Sequence, residues 1–121
     1  MRKYRGLPKD SKDFVYGWYV EVDGICFIEY QAEESNNRCT VEIIPESVGQ
    51  FVTKDKNGKD VFAGDNAIGV VFMEDSPPYQ VRGKVEYYKA SFCIVSYCTY
   101  YQISYCTYYQ INDLLEIELT E

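Results

Sequence analysis

The sequence predicts a mainly β protein: a small antiparallel barrel or roll, with a β-hairpin lobe at the amino-terminal end and little helix. Three observations predict it. Apolar and polar positions alternate with period two over residues 14–22 and 80–88, the pattern of strands with two different faces. The dipeptides Asp23-Gly24 and Asn57-Gly58 sit between apolar runs, where such pairs favour tight hairpin turns. Strand-length segments also recur at intervals of roughly eight to twelve residues, as in a sandwich or small barrel.

The elements follow in chain order. In residues 14–22, Phe14, Tyr16, Trp18, Val20 and Val22 share one face, and Val15, Gly17, Tyr19 and Glu21 the other. The first face is the more apolar, so Trp18 is expected in the core. After the Asp23-Gly24 turn, residues 25–30 return as a second strand. The polar segment QAEESNNR, 31–38, is a loop, and residues 41–44 form a third strand ended by Pro45. At the centre, residues 48–65 read VGQFVTKDKNGKDVFAGD. Two apolar runs there flank a polar segment, and Asn57-Gly58 reads as a two-residue turn with both residues at positive φ. Residues 66–73 and 80–88 are strands, separated by the proline-containing loop EDSPP, which central-strand pairing would not tolerate. Residue 92 onward is strand-like, 113–116 is compatible with one helical turn, and 117–119 is a last short strand.

An octapeptide occurs twice in tandem: SYCTYYQI at 96–103 and again at 104–111. Its even length preserves the in-out phase of a strand. Extended, the added copy spans about 26 Å. No Gly, Pro, Asn or Asp interrupts 92–111, so the position of any turn is not written there. On a continuous strand Tyr97, Tyr101, Ile103, Tyr105, Tyr109 and Ile111 share one face, and Ser96, Cys98, Tyr100, Gln102, Ser104, Cys106, Tyr108 and Gln110 the other. Eight of the thirteen tyrosines lie in 87–109. Tyrosine is enriched at interfaces, and a long aromatic strand left uncovered is an aggregation hazard. The candidate interaction surface is therefore Tyr97, Tyr100, Tyr101, Tyr105, Tyr108 and Tyr109. The other reading is a neutral duplication tolerated as a longer hairpin.

Composition excludes several classes. A net charge of −7 disfavours general nucleic-acid binding, which needs basic surface, and permits a partner with a basic face. With no histidine, the usual nucleophile–base pairs are missing. No glycine-rich phosphate loop and no metal-ligand spacing is present, so neither a catalytic residue, a metal nor a cofactor is expected. A small-molecule ligand finds no support in the residues. The five cysteines, Cys26, Cys39, Cys93, Cys98 and Cys106, are odd in number and contain no Cys-x-x-Cys. They read as free thiols of a cytoplasmic protein. The amino terminus lacks a signal-like apolar segment, and no apolar run has the length of a membrane span. Asp65 reads as a carboxylate bonding local backbone amides. Lys54, Lys56 and Lys59 form a candidate docking loop, weighed against a solvated hairpin tip.

The central segment also resembles the signature of the YopX-like family of phage and prophage proteins. Residues 48–65 match that signature almost continuously, with departures at Val52-Thr53, Ala63 and Asn66. Residues 2–6, 13–23, 41–48, 83–87 and 114–118 resemble further parts of the family pattern, so the resemblance spans essentially the whole chain. It departs at the duplicated octapeptide, of which one unit is expected. The resemblance implies a single domain over 1–121, with a β lobe at 1–50 and an SH3-like barrel lobe at 51–121. It implies no established activity. The expected function is that of a small non-catalytic accessory protein in the cytoplasm of a bacterial host. It would act through a protein partner or as a homo-oligomer. The alternative is an anti-defence inhibitor that blocks a nuclease, mimics DNA or sequesters a nucleotide signal.

Overall fold

The computed structural model describes residues 4–32, 37–88, 91–100 and 103–120, with backbone alone for 88, 97–100 and 103–107. The described chain is mainly β, with 65% strand and 6% helix. It divides into two compact units, Met1–Phe51 and Val52–Glu121.

The first unit contains β1 (Tyr4–Gly6), β2 (Val15–Val22), β3 (Ile25–Gln31), β4 (Arg38–Glu42) and the start of β5 (Gly49–Lys54), which crosses the boundary. The strands are antiparallel and lie in the order β4-β3-β2-β1-β5. Asp23 and Gly24 have φ of 52° and 81°, so the turn between paired Val22 and Ile25 is the expected left-handed one. The three-residue β1 carried no readable periodicity. It is held between β2 and β5, pairing Arg5 with both Tyr16 and Gly49.

The core of this unit is Cys26, Ile28 and Ile43, packed by Tyr4, Val15, Tyr19, Tyr30, Val41 and Val48. The inward residues of β2 are thus Val15, Gly17 and Tyr19, and the expected orientation is reversed. Trp18 is 46% exposed rather than buried. The count of apolar residues favours the Trp18 face, but it does not decide which face meets the core. The neighbours do: Tyr19 pairs with Ile28, which is wholly buried, whereas Trp18 pairs with Glu29. Gly17 fits the same arrangement. A Cβ there would lie 2.1 Å from the carbonyl oxygen of Glu29, so only glycine lets β3 come this close.

The second unit continues from β5 into β6 (Asp60–Phe62) and then β7 (Asn66–Val71), β8 (Tyr79–Tyr88), β9 (Ser91–Tyr100), β10 (Ile103–Gln110) and β11 (Leu114–Leu119). Its five-stranded sheet has the order β10-β9-β8-β7-β11. The sheet does not close into the expected barrel, because β10 and β11 remain at its two edges. Val61, Ala67, Val85, Ile94 and Ile117 form its core. The helical turn expected near 113–116 falls earlier, at Ile111–Asp113, and β11 begins directly after it. The first half of β8 pairs with β7 and the second with β9. At the switch, a Cβ on Gly83 would lie 2.0 Å from the Val95 carbonyl oxygen.

The duplicated octapeptide forms a hairpin rather than one long strand. Rungs run from Cys93 opposite Gln110 to Tyr100 opposite Ile103. Ser96, Tyr97, Cys98 and Thr99 of the first copy face Thr107, Cys106, Tyr105 and Ser104 of the second. Because the chain folds back, an extra copy lengthens the hairpin by half its extended length, roughly 13 Å at ~3.3 Å per residue.

Candidate functional site

The hairpin between β5 and β6 is built around one carboxylate. The Asp55 backbone N–H donates to the Lys59 carbonyl at 2.7 Å, and its own carbonyl accepts from the Gly58 N–H at 3.0 Å. Gly58 alone of the Asn57-Gly58 pair has positive φ, at 79°. The tip is thus a four-residue turn closed by a left-handed glycine, not the expected two-residue turn. The cause is Asp55. Its Oδ1 accepts N–H bonds from Asn57 and Lys59, both at 2.9 Å, and its Oδ2 accepts one from Leu119 at 3.2 Å. Burial pushes the Asp55 carboxyl up, but the amide donors of Lys59, Leu119 and Asn57, with the Lys59 charge, outweigh it. They hold the carboxyl below its usual range. The buried side chain therefore ties the hairpin tip to β11.

The candidate docking lysines on this hairpin meet acidic partners. Lys54 Nζ lies 2.7 Å from Asp60 Oδ1. Lys56 Nζ lies 3.1 Å from both Glu116 Oε1 and Glu118 Oε2, and those hydrogen-bonded carboxylates raise its pKa above the ordinary value. Lys59 supplies charge next to Asp55. A groove of about 440 Å³ adjoins the hairpin, lined by Thr53, Asp55, Lys56, Ile111, Leu114 and Ile117 among others. Asp65 does what its position predicts: its Oδ2 accepts the Phe62 N–H at 2.8 Å, fixing the turn before β7.

The candidate tyrosines fall partly outside what is described. Tyr101 lies outside the described residues, as do the side chains of Tyr97, Tyr100 and Tyr105. Tyr108 is exposed and Tyr109 half-buried. Among the described cysteines Cys26, Cys39 and Cys93 are free thiols, with the Cys26 Sγ 3.2 Å from the Tyr19 hydroxyl. No helix among the described residues is long and apolar enough to cross a membrane.

The face of β2 expected in the core lies instead on the outer side of the sheet, together with the outer residues of β3. Cross-strand partners there are Trp18 with Glu29, Val20 with Phe27, and Val22 with Ile25. Trp18 is 46% exposed, Val22 53% and Ile25 44%, values that leave large apolar side chains half in water. An apolar depression of about 320 Å³ is lined by Val20, Val22, Asp23, Ile25, Phe27 and Thr40. Phe14 extends this face, with the Arg5 guanidinium 4.4 Å from its ring centroid. The signal that could have found it was present: β2 and β3 each carry apolar residues on both faces, and a unit of this size buries only one. Chemically the face can desolvate an apolar surface and supplies no nucleophile or acid–base pair.

Compared with protein-family models, curated proteins and solved structures, the chain has no significant match.

Proposed function

We propose that this chain is a non-catalytic, YopX-like phage or prophage accessory protein that acts by protein contact through the outer face of β2 and β3. The SH3-like character of the second lobe belongs to the same reading. One observation carries the contact: Val22 and Ile25, half-exposed, line an apolar depression, and Trp18, also half-exposed, stands on the same face of β2. Contiguous exposed apolar surface, especially with an aromatic anchor, marks interaction sites. The net charge of −7 favours a partner whose apolar patch is rimmed by basic residues. The test is capture from a bacterial host lysate by the immobilised chain and by a Trp18→Ser/Ile25→Ser variant. Both should melt cooperatively at similar temperatures. The reading expects a protein retained by the natural chain and lost by the variant. Identical capture by the two would refute it.

A further inference from the structure

We infer that the outer edge of β10 pairs antiparallel with β10 of a second copy, giving a two-fold dimer. The inference rests on backbone direction and edge chemistry in the second unit, and is independent of the apolar face of β2 and β3.

The directions follow from one fixed point. The Val85 N–H donates to the Asp65 carbonyl and the Val85 carbonyl accepts from the Gly64 N–H, both at 2.8 Å. Both polar groups of Val85 therefore turn toward the β7 side. Alternate residues of an antiparallel strand turn to opposite sides, so Lys84 and Glu86 address β9. Their partners Val95 and Cys93 address β8, which leaves Ile94 and Ser96 to address β10. Their partners Tyr109 and Thr107 address β9. The even-numbered residues of β10, Ser104, Cys106, Tyr108 and Gln110, then turn N–H and C=O outward. Among the described residues no strand lies on that side.

An open edge of this kind attracts another strand unless something discourages it. The outermost strands β4 and β11 carry charges: Arg38 and Glu42 on β4, Glu116 and Glu118 on β11. β10 carries none, and no Asp, Glu, Lys, Arg, Pro or Gly occurs from Ser91 to Asn112. A second copy is the fitting occupant. It offers an equally long uncharged edge, and the octapeptide already pairs antiparallel with its own duplicate in β9 and β10. The two-fold also restricts the register. Opposed residues must both turn toward the axis or both away, so an even-numbered residue of one copy can face only an even-numbered residue of the other. Over the length of β10 this selects a ladder centred on Cys106 or on Thr107. Neither reproduces the rungs within the chain, where odd faces even. Such a contact is isologous and closes on itself, so it covers the edge without propagating.

Proline substitution reads this parity directly. Cys106→Pro removes an outward N–H and leaves the bonds to β9 in place, a position where edge strands tolerate proline. Thr107→Pro removes an N–H that bonds β9. Light scattering under reducing conditions should give twice the 14.1 kDa chain mass for the natural protein and for Cys106→Ser. It should give a monomer for Cys106→Pro, with an unchanged circular dichroism spectrum. Should that variant fail to fold, Tyr108→Lys, which places a charge on the same edge, must also be a folded monomer. Thr107→Pro should instead lose strand signal. A monomeric natural protein at tens of micromolar would overturn the inference. So would a folded Cys106→Pro or Tyr108→Lys that stays dimeric, or a dimer that Trp18→Ser dissociates and these edge variants do not.

Discussion

Deleting one copy of the octapeptide, residues 104–111, should leave a folded protein of nearly unchanged stability. After the deletion Thr99, Tyr100, Tyr101, Gln102 and Ile103 take the places of Thr107, Tyr108, Tyr109, Gln110 and Ile111, residue type for residue type. The rungs at Cys93, Ile94, Val95 and Ser96 are then rebuilt with the same residue types opposite. A two-residue connection again remains, now at Tyr97-Cys98. What disappears are the four outer rungs, from Tyr97 opposite Cys106 to Tyr100 opposite Ile103. That is roughly 13 Å of ribbon at ~3.3 Å per residue. Those rungs lie beyond Val95, where the pairing of β9 with β8 ends. A two-stranded ribbon is marginal in water. Each hydrogen bond contributes about 1 kcal/mol net, and ordering each residue costs about 1–2 kcal/mol. Ordering the residues of these rungs costs at least as much as their hydrogen bonds return, so the ribbon persists only through its cross-strand side-chain pairs and adds no surplus to the fold; the expected change is within about 1 kcal/mol. The core residues Val85 and Ile94 are untouched. Urea melts followed by circular dichroism measure it. A loss above about 3 kcal/mol, or failure to fold, would show that the outer rungs belong to the core and refute the register argument.

Three further outcomes follow. Ile28→Ala, at a wholly buried position, should cost about 2–5 kcal/mol, whereas Trp18→Ala should cost about 1 kcal/mol or less; equal losses in denaturant melts would restore Trp18 to the core. The Asp55 carboxyl is held below its usual range, so its contribution is complete above the unfolded value of about 3.9 and is lost as pH falls through the lower folded value. Asp55→Asn should therefore lower the melting temperature at pH 7 and flatten its decline below about pH 4, and thermal melts across pH 2–7 that overlay the natural protein would contradict this. Thiol titration of the unfolded chain without reductant should find all five cysteines; one or three would reveal a disulfide.

The tight turn at Asp23-Gly24 was legible because its geometry is local and needs left-handed residues. The Asn57-Gly58 hairpin was legible in place but not in type. Its type follows from Asp55, whose Oδ1 accepts the nearby Asn57 and Lys59 amides, a local pattern that the Asn57-Gly58 signal overshadowed; only the tie of Oδ2 to Leu119, sixty-four residues away, has no local trace. The reversal in 92–111 had no turn residue to mark it. Its register is set at the other end, where β8 holds Ser91–Val95 through the rungs from Tyr88 to Lys84. The face of β2 was misread because periodicity shows that two faces exist, not which one meets Ile43 and Tyr4. The candidate contact surface was missed for the same reason: Trp18, on the β2 part of it, was counted as core.

The chain has a single tryptophan, so iodide quenching of its fluorescence reports on that face alone. With Trp18 half-exposed, the free protein should be quenched readily, with red-shifted emission. Addition of the protein captured from lysate should remove most of the quenching and shift the emission to the blue. A tryptophan already shielded from iodide in the free, folded protein, or one still fully quenched in the complex, would contradict the account.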